Sequence, residues 1–166
     1  MRDWLNTDAS HQTVMKELGL ASLVGKDLKS HPNYKRFREF LSKREDKRMK
    51  AMIDDAVSTA SVWKRFHLEQ LPETKRKTSK AFKYYVRYAK MYDNEIFRNE
   101  WYSFYSRPVV YYGGTPKEMF VKVGIWAEAK RPNDYVKACL ELEYASKKTL
   151  EANPYYKQFL SLQNKK

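Results

Sequence analysis

The strongest constraint on the fold is a pattern that occurs three times along the chain. When the sequence is shifted by 122 positions, ten identical residues coincide between the first and the third copy. The first-copy members of these pairs are Trp4, Val14, Leu18, Leu20, Lys26, Leu28, Pro32, Tyr34, Lys35 and Phe37. A shift of 48 aligns a looser second copy, in which Val62 and Leu68 coincide with Val14 and Leu20. Repeats of this size are typical of stacked helical units, because one unit alone cannot bury its apolar face.

The spacing of the copies predicts the organisation of the chain. The copies begin near residues 4, 52 and 126, so the third starts later than an even spacing would place it. We therefore interpret residues of about 90 to 115 as an insertion. The predicted arrangement has an amino-terminal repeat unit over 1–45, a central helical bundle with the insertion over 46–112, and a carboxy-terminal repeat unit over 113–166. We expect these parts to pack as one continuous body.

Local signals predict that the whole protein is helical. Ser10 and Ser58 each precede apolar residues at helical spacing, and their hydroxyls are suited to cap a helix start. Thr115-Pro116-Lys117-Glu118 has the capping-box arrangement. Pro32 and Pro154 are expected in the first turn of their helices. Further helices are predicted over about 34–41, 44–56 and 80–105, and from Thr115 until near Arg131-Pro132. No stretch alternates with a period of two residues for long.

Large aromatic side chains are predicted to organise the interior. The chain has 13 Tyr and 4 Trp but only 5 Gly. Positions that recur between copies are mostly apolar or aromatic, which favours shared core packing over a repeated ligand site, and places Tyr34, Trp126 and Tyr156 in the core. Cys139 is the only cysteine, so an intrachain disulfide is excluded, and its apolar neighbours predict a buried thiol.

The excess of basic residues leaves two interpretations open. The chain carries 33 Lys and Arg against 20 Asp and Glu, a net charge of +13, which attracts nucleic acid, anionic lipid or an acidic protein patch. One basic cluster consists of Lys75, Arg76, Lys77, Lys80, Lys83, Arg87 and Lys90. It interleaves with Tyr84, Tyr85 and Tyr88, as a nucleic-acid face with stacking rings would. However, Tyr85, Tyr88 and Tyr92 share one helical stripe, which favours a buried face flanked by solvated lysines.

Motifs that would indicate catalysis are absent from the sequence. It has no zinc, P-loop or nucleophile-elbow pattern, and none of its three histidines has a second metal-type ligand nearby. We therefore predict a protein that is not an enzyme and has no cofactor or metal. No apolar run is long enough to span a membrane, and no signal peptide is visible. The clear loop contains Tyr111 and Tyr112, which are candidate partner contacts together with Lys75, Arg76 and Lys77.

Four stretches of the chain resemble segments of a known family. Val57–Leu68 followed by Ala81–Asp93 resembles the paired W and Y motifs of oomycete, Phytophthora-type RXLR effectors of the WY-domain family. Ile125–Lys137 and Lys26–Leu41 are similar to segments of longer members. The resemblance implies a WY bundle of three or four helices, extended by flanking helices or a partial second unit. It also implies that Trp63, Tyr85 and Tyr88 lie in the core.

The same resemblance implies a function. Such a protein is secreted by a plant pathogen and delivered into the cytoplasm or nucleus of the host cell, where it binds a host plant protein and suppresses immunity as an adaptor or inhibitor. This sequence lacks the Arg-x-Leu-Arg element of the family, so we expect it to be the mature effector region. The alternative is a basic helical nucleic-acid-binding protein. The host target, its docking surface and a homo-oligomeric state are left open by the sequence.

Overall fold

Helices make up all the regular structure that can be described. A computed structural model of the chain describes residues 2–99 and 114–164. Within these ranges the chain forms eleven α-helices and one short 3-10 turn, without strands, so the predicted all-α class is confirmed. None of the helices in these ranges is long and apolar enough to cross a membrane. The chain divides into two compact units, Met1–Asp55 and Ala56–Lys166.

The first unit contains four helices. They are α1 Arg2–Asn6, α2 His11–Glu17, α3 Gly25–Ser30 and α4 Tyr34–Asp54. Ser10 caps α2 as predicted, because its hydroxyl accepts a hydrogen bond from the Thr13 amide at 3.1 Å. Val14, Leu20 and Phe40 are fully buried, and half-buried Tyr34 packs against this core. The core therefore forms where α2 and the loop after it meet the start of α4.

Helix α4 differs from the prediction of two separate helices. Its 21 residues run without interruption from Tyr34 to Asp54. The expected break near residue 42 does not occur, because no proline or glycine lies in this stretch. Pro32 lies just before the helix rather than in its first turn, and Asn33 is the N-cap residue. The predicted boundary between residues 45 and 46 falls inside α4, and the division into three parts stays a prediction.

In the second unit, residues 56–99 and 114–164 form seven helices. They are α5 Thr59–Arg65, α6 Glu73–Thr78, α7 Lys80–Asn99, α8 Pro116–Glu128, α9 Asn133–Cys139, α10 Lys147–Ala152 and α11 Pro154–Gln163, with the 3-10 turn at Leu68–Gln70. Ser58 caps α5 through the Ser61 amide at 3.1 Å, as predicted. Pro154 stands in the first turn of α11, also as predicted. The part of the predicted 80–105 helix beyond residue 99 lies outside the described residues.

Aromatic rings fill the interior of the second unit. The Trp63 side chain is 2% exposed, and its ring meets that of Tyr85 edge-on, with centroids 4.9 Å apart. Tyr85, Tyr88 and Tyr92 are all buried on one side of α7. Trp126 and Tyr156 are buried as well. These rings hold α5, α7, α8 and α11 against a common core.

The capping box at the start of α8 forms only in part. Thr115 caps the helix, because its hydroxyl accepts from the Glu118 amide at 3.3 Å. The capping-box motif predicts that the Glu118 carboxylate also accepts a hydrogen bond from the Thr115 amide. This second hydrogen bond does not form. Instead it is fully buried and accepts a hydrogen bond from the Tyr85 hydroxyl at 2.8 Å. Packing of α8 on α7 has therefore redirected a side chain that local sequence assigns to the cap.

Candidate functional site

The predicted partner-contact residues have different surroundings in the structure. Tyr111 and Tyr112 lie outside the described residues. Lys75, Arg76 and Lys77 all belong to α6, where both lysines are exposed. Arg76 is only 8% exposed, in contrast to its neighbours. The basic run is thus one buried cation between two solvated ones.

Arg76 has an unusual environment for a buried cation. Its guanidinium carbon lies 5.5 Å from the centre of the Trp63 ring, within the range of a cation–π contact. The Nε and Nη1 atoms are buried and have no hydrogen-bond partner. Buried donors without a partner are destabilising, because they lose water without gaining an acceptor. The sequence did not reveal this, since Arg76 stands between two exposed lysines.

A surface groove of about 540 Å³ adjoins Arg76. We call it the Arg76 groove. Its charged lining residues are Glu73, Arg76, Lys77 and Lys117. Its apolar lining residues are Leu71, Pro72, Phe82, Phe120 and Val121. Gly124 of α8 and Gln158 of α11 complete the lining. The groove volume falls in the usual range for ligand-binding clefts.

The cations of the Arg76 groove differ in how they are neutralised. Lys77 pairs with Glu73 at 2.5 Å. Lys117 pairs with Glu69 at 3.4 Å and also donates to the Glu69 carbonyl oxygen at 2.8 Å. In the described part of the chain Arg76 forms no direct ion pair, although its charge, after the hydrogen bond and charge of Lys77, helps to lower the pKa of Glu73. The groove therefore contains one cation that is not in direct contact with an acidic side chain.

Glu69 lies near the groove and joins α5 to the start of α8 through hydrogen bonds to its carboxylate. Its carboxylate accepts hydrogen bonds from the Thr115 hydroxyl and, at 3.1 Å, from the Trp63 indole nitrogen. The Thr115 hydrogen bond, with smaller contributions from Trp63 and Lys117, holds the pKa of Glu69 below its usual value. The charged carboxylate thus links the ring beneath Arg76 to Thr115, the N-cap residue of α8.

A buried polar cluster lies behind the groove, on α7 and α8. Lys122 approaches the Glu118 carboxylate at 3.5 Å, and both side chains are buried. Burial lowers the pKa of Lys122, while the nearby Glu118 charge opposes that shift. Burial, followed by the Glu118 charge and hydrogen bond, raises the pKa of Tyr85. These groups join α7 to α8 and are closed to a large ligand.

A second buried cluster surrounds Asp93. Arg131 pairs with Asp93 at 2.6 Å, and the Tyr135 hydroxyl donates to the same carboxylate at 2.6 Å. A cavity of about 30 Å³ beside it, lined in part by Cys139, has room for water but not for a substrate. Burial raises the pKa of the Cys139 thiol to about 12, so the thiol stays protonated at neutral pH. The prediction of a buried thiol is confirmed.

The geometry identifies a binding surface as the candidate site. In residues 2–99 and 114–164, no group of three or more His, Cys, Asp or Glu side chains is arranged to hold a metal ion. A guanidinium recognises anions but does not exchange protons at ordinary pH. The Arg76 groove can therefore bind an anionic group beside an apolar one.

Comparison with known proteins places the chain in a family. No family model matches it, and no solved structure matches it. A secreted RxLR effector protein of Phytophthora infestans (strain T30-4) is 31% identical over 165 residues. The match covers 95% of this chain and 68% of that relative. This identity over nearly the full chain establishes that the protein is a member of the secreted RxLR effector family.

Proposed function

We propose that this effector acts inside the host plant cell, where it binds a host protein and suppresses immunity without catalysing a reaction. Membership in the RxLR effector family supports a role in infection. The observation that carries the binding role is the Arg76 groove, because it combines an exposed aromatic ring with a cation that no described acidic side chain contacts directly. Phe120 in this groove is 38% exposed. Exposed aromatic and arginine side chains are the residue types enriched at protein interfaces.

We further propose that the chain is built from WY-type repeats. Helices α2, α5 and α9 each have seven residues and start at residues 11, 59 and 133, which the sequence shifts of 48 and 122 relate. Helices α3, α6 and α10 each have six residues and start at 25, 73 and 147, which the same shifts relate. Equal lengths at equal offsets support three copies of one supersecondary unit.

Backbone conformation supports the same proposal. The left-handed residues Gly19, His67 and Glu141, with φ of 70°, 51° and 56°, fall just after α2, α5 and α9. Just before these helices, Asp8, Ala56 and Lys130 have φ of 49°, 54° and 53°. Only Gly19 adopts this conformation without steric cost. The repeated use of a costly conformation by different residue types is expected if the three segments share one backbone design.

The proposed function is tested by expression in leaf cells. A tagged form of the chain should lower the oxidative burst that a microbial elicitor peptide induces, and should retain a stoichiometric host protein after capture from nuclease-treated extract. The matched negative control is Trp63→Ala, which removes a buried ring and is expected to destabilise the second unit by about 3 to 5 kcal/mol. A folded wild-type chain that captures no host protein and leaves the burst unchanged would contradict the proposal.

The second candidate function is nucleic-acid binding, which the net charge of +13 favours. Lys80 and Lys83 at the start of α7 are exposed and available to phosphate groups. The test is the affinity for a single-stranded RNA of mixed sequence at increasing salt. If the chain binds through several phosphates, the logarithm of the affinity falls steeply and linearly with the logarithm of the salt concentration. A shallow slope would exclude this alternative.

A further inference from the structure

We propose that the Arg76 groove recognises an acidic segment of the partner protein, in which an Asp or Glu carboxylate accepts hydrogen bonds from Arg76 and an adjacent apolar side chain packs on Phe120. This inference rests on the proposed binding function and adds the chemistry of the ligand. It assigns a distinct task to each of the two kinds of lining residue.

The state of the Arg76 side chain favours a bound anion. Arg76 is only 8% exposed, and two of its nitrogen atoms have no hydrogen-bond acceptor. Native proteins keep few such groups, and those that persist call for an explanation. The Nη2 atom is not among these buried atoms and Arg76 lines the groove, so a carboxylate in the groove would accept from Nη2 and neutralise the buried charge.

The Arg76 side chain is held in position by its neighbours. Trp63 lies beneath the Arg76 guanidinium and is itself held by its hydrogen bond to Glu69. The Tyr85 ring meets the same indole edge-on, with centroids 4.9 Å apart, and further restrains it. A cation held in place by an aromatic ring loses little conformational freedom when a ligand binds. The site is therefore preorganised.

Gly124 lines the same groove from the interior of α8. Glycine is an unfavourable residue inside a helix, so its presence there calls for a reason. A Cβ atom at this position would meet nothing within 4 Å. Internal packing therefore does not require the glycine. The glycine does leave the groove open for the backbone of a bound segment, because a side chain at this lining position would occupy groove space.

Charge favours a carboxylate over other occupants. Glu73, Arg76, Lys77 and Lys117 leave the groove with an excess of positive charge. Leu71, Phe82, Phe120 and Val121 provide apolar wall that a free inorganic anion would not use. An acidic peptide with an aromatic or aliphatic neighbour matches both features. We therefore commit to a peptide carboxylate as the group that Arg76 binds.

The experiment measures fluorescence anisotropy with the full chain and two labelled peptide pools. In one pool a central Glu is flanked by randomised apolar residues, and in the other Gln replaces that Glu. We expect the Glu pool to bind at least about tenfold more tightly than the Gln pool, because the groove cation pairs only with the charged form. Equal binding of the two pools, or no binding of either, would overturn the proposal.

Three variants connect the binding to the groove. Arg76→Met keeps an unbranched side chain over Trp63 but removes the donors, and should weaken binding of the Glu pool by at least about tenfold. Gly124→Leu should block the groove and weaken binding of both pools. Lys75→Gln removes the same charge from the same helix at an exposed position outside the groove, and should change affinity less than about twofold. Equal losses in Arg76→Met and Lys75→Gln would show that overall charge, not the groove, determines binding.

Thermal stability separates a binding role of Arg76 from a structural one. If Arg76 serves to bind a ligand, its buried charge destabilises the protein when no ligand is present. Arg76→Met should therefore keep or raise the melting temperature while it weakens peptide binding. A lower melting temperature together with unchanged peptide affinity would show that Arg76 is structural. Binding of inorganic phosphate or single-stranded RNA at Arg76, without binding of the Glu pool, would refute the carboxylate assignment.

The test is independent of the proposed cellular role. If Arg76→Met loses the Glu pool but still suppresses the oxidative burst, the effector function stands and another surface docks the host protein. If wild-type protein binds the Glu pool through Arg76 but suppresses nothing in leaf cells, the ligand chemistry stands and the proposed function fails.

Discussion

At the scale of single residues, burial separates side chains that look alike in the sequence. Lys75, Arg76 and Lys77 form one basic run, yet only Arg76 is buried. Glu118 and Glu73 both lie in the first turn of a helix, yet Glu118 is fully buried and Glu73 is exposed. The physical consequence differs accordingly, because a buried charge needs partners whereas an exposed one is solvated.

Trp63 is expected to be a major determinant of stability. The substitution Trp63→Ala should lower the free energy of unfolding by about 3 to 5 kcal/mol, because it removes a buried ring and leaves a cavity. Trp63→Phe should cost less, since it keeps a ring against Tyr85 and loses mainly the hydrogen bond to Glu69. Urea unfolding followed by circular dichroism measures both. Equal stability of Trp63→Ala and wild type would contradict the core position.

The ion pair between Asp93 and Arg131 should behave as a unit. Each side chain is 8% exposed, so Arg131→Met alone should cost about 3 to 5 kcal/mol by leaving an uncompensated buried carboxylate. Combining it with Asp93→Asn should recover part of this loss, because the amide oxygen carries no charge and still accepts from Tyr135. A double-mutant cycle in urea measures the coupling. Strictly additive losses would show that the pair is not coupled.

At the scale of elements, capping residues and helix punctuation follow local rules. Ser10, Ser58 and Thr115 cap their helices as the sequence predicts. The break predicted inside α4 was wrong, because nothing in residues 34–54 interrupts a helix. The left-handed position after α2 was visible as Gly19, whereas the equivalent His67 and Glu141 gave no signal. The sequence predicts a left-handed residue only where glycine occupies that position.

The equivalent positions Gly19 and His67 should respond to substitution in opposite directions. Gly19→Ala should destabilise the protein by about 1 kcal/mol, because φ of 70° is strained for alanine although no atom obstructs its Cβ. His67→Gly should be neutral or stabilising by up to about 1 kcal/mol, because it relieves the strain at φ of 51°. Thermal unfolding measures both changes. Destabilisation by His67→Gly would mean that its side chain makes a contribution larger than the strain.

At the scale of the whole molecule, buried hydroxyl and thiol groups determine the response to alkaline pH. Burial raises the pKa of Tyr88 from 10.0 to about 12 and that of Cys139 from 9.0 to about 12. Because these groups release protons more readily in the unfolded chain, the unfolded state binds fewer protons at high pH. The stability that the protonated groups provide is therefore complete below their unfolded pKa values and is lost as pH rises towards 12.

We therefore expect stability to fall progressively above pH 9 to 10. Tyr88→Phe should reduce the slope of the free energy of unfolding against pH by up to the contribution of one proton. The substitution also removes the hydrogen bond from the Tyr88 hydroxyl to the Val57 carbonyl oxygen at 2.5 Å. Urea unfolding at several pH values measures the slope for both proteins. Tyr144→Phe is the matched control, since Tyr144 is 96% exposed, and it should leave the slope unchanged. An unchanged slope in Tyr88→Phe would contradict the assignment.

Residue patterns alone predicted the helical class, the capped helix starts, the three-fold pattern and the resemblance to RXLR effectors, a family that the comparison then confirmed. These properties depend on residues within a few turns of each other or on recurrence along the chain. Which charges are buried, in contrast, depends on the packing of distant helices. Asp93 contacts Arg131 and Tyr135, which lie 38 and 42 residues away in the sequence. Arg76 of α6 lies over Trp63 of α5. Such contacts depend on how distant helices pack, which no local pattern encodes.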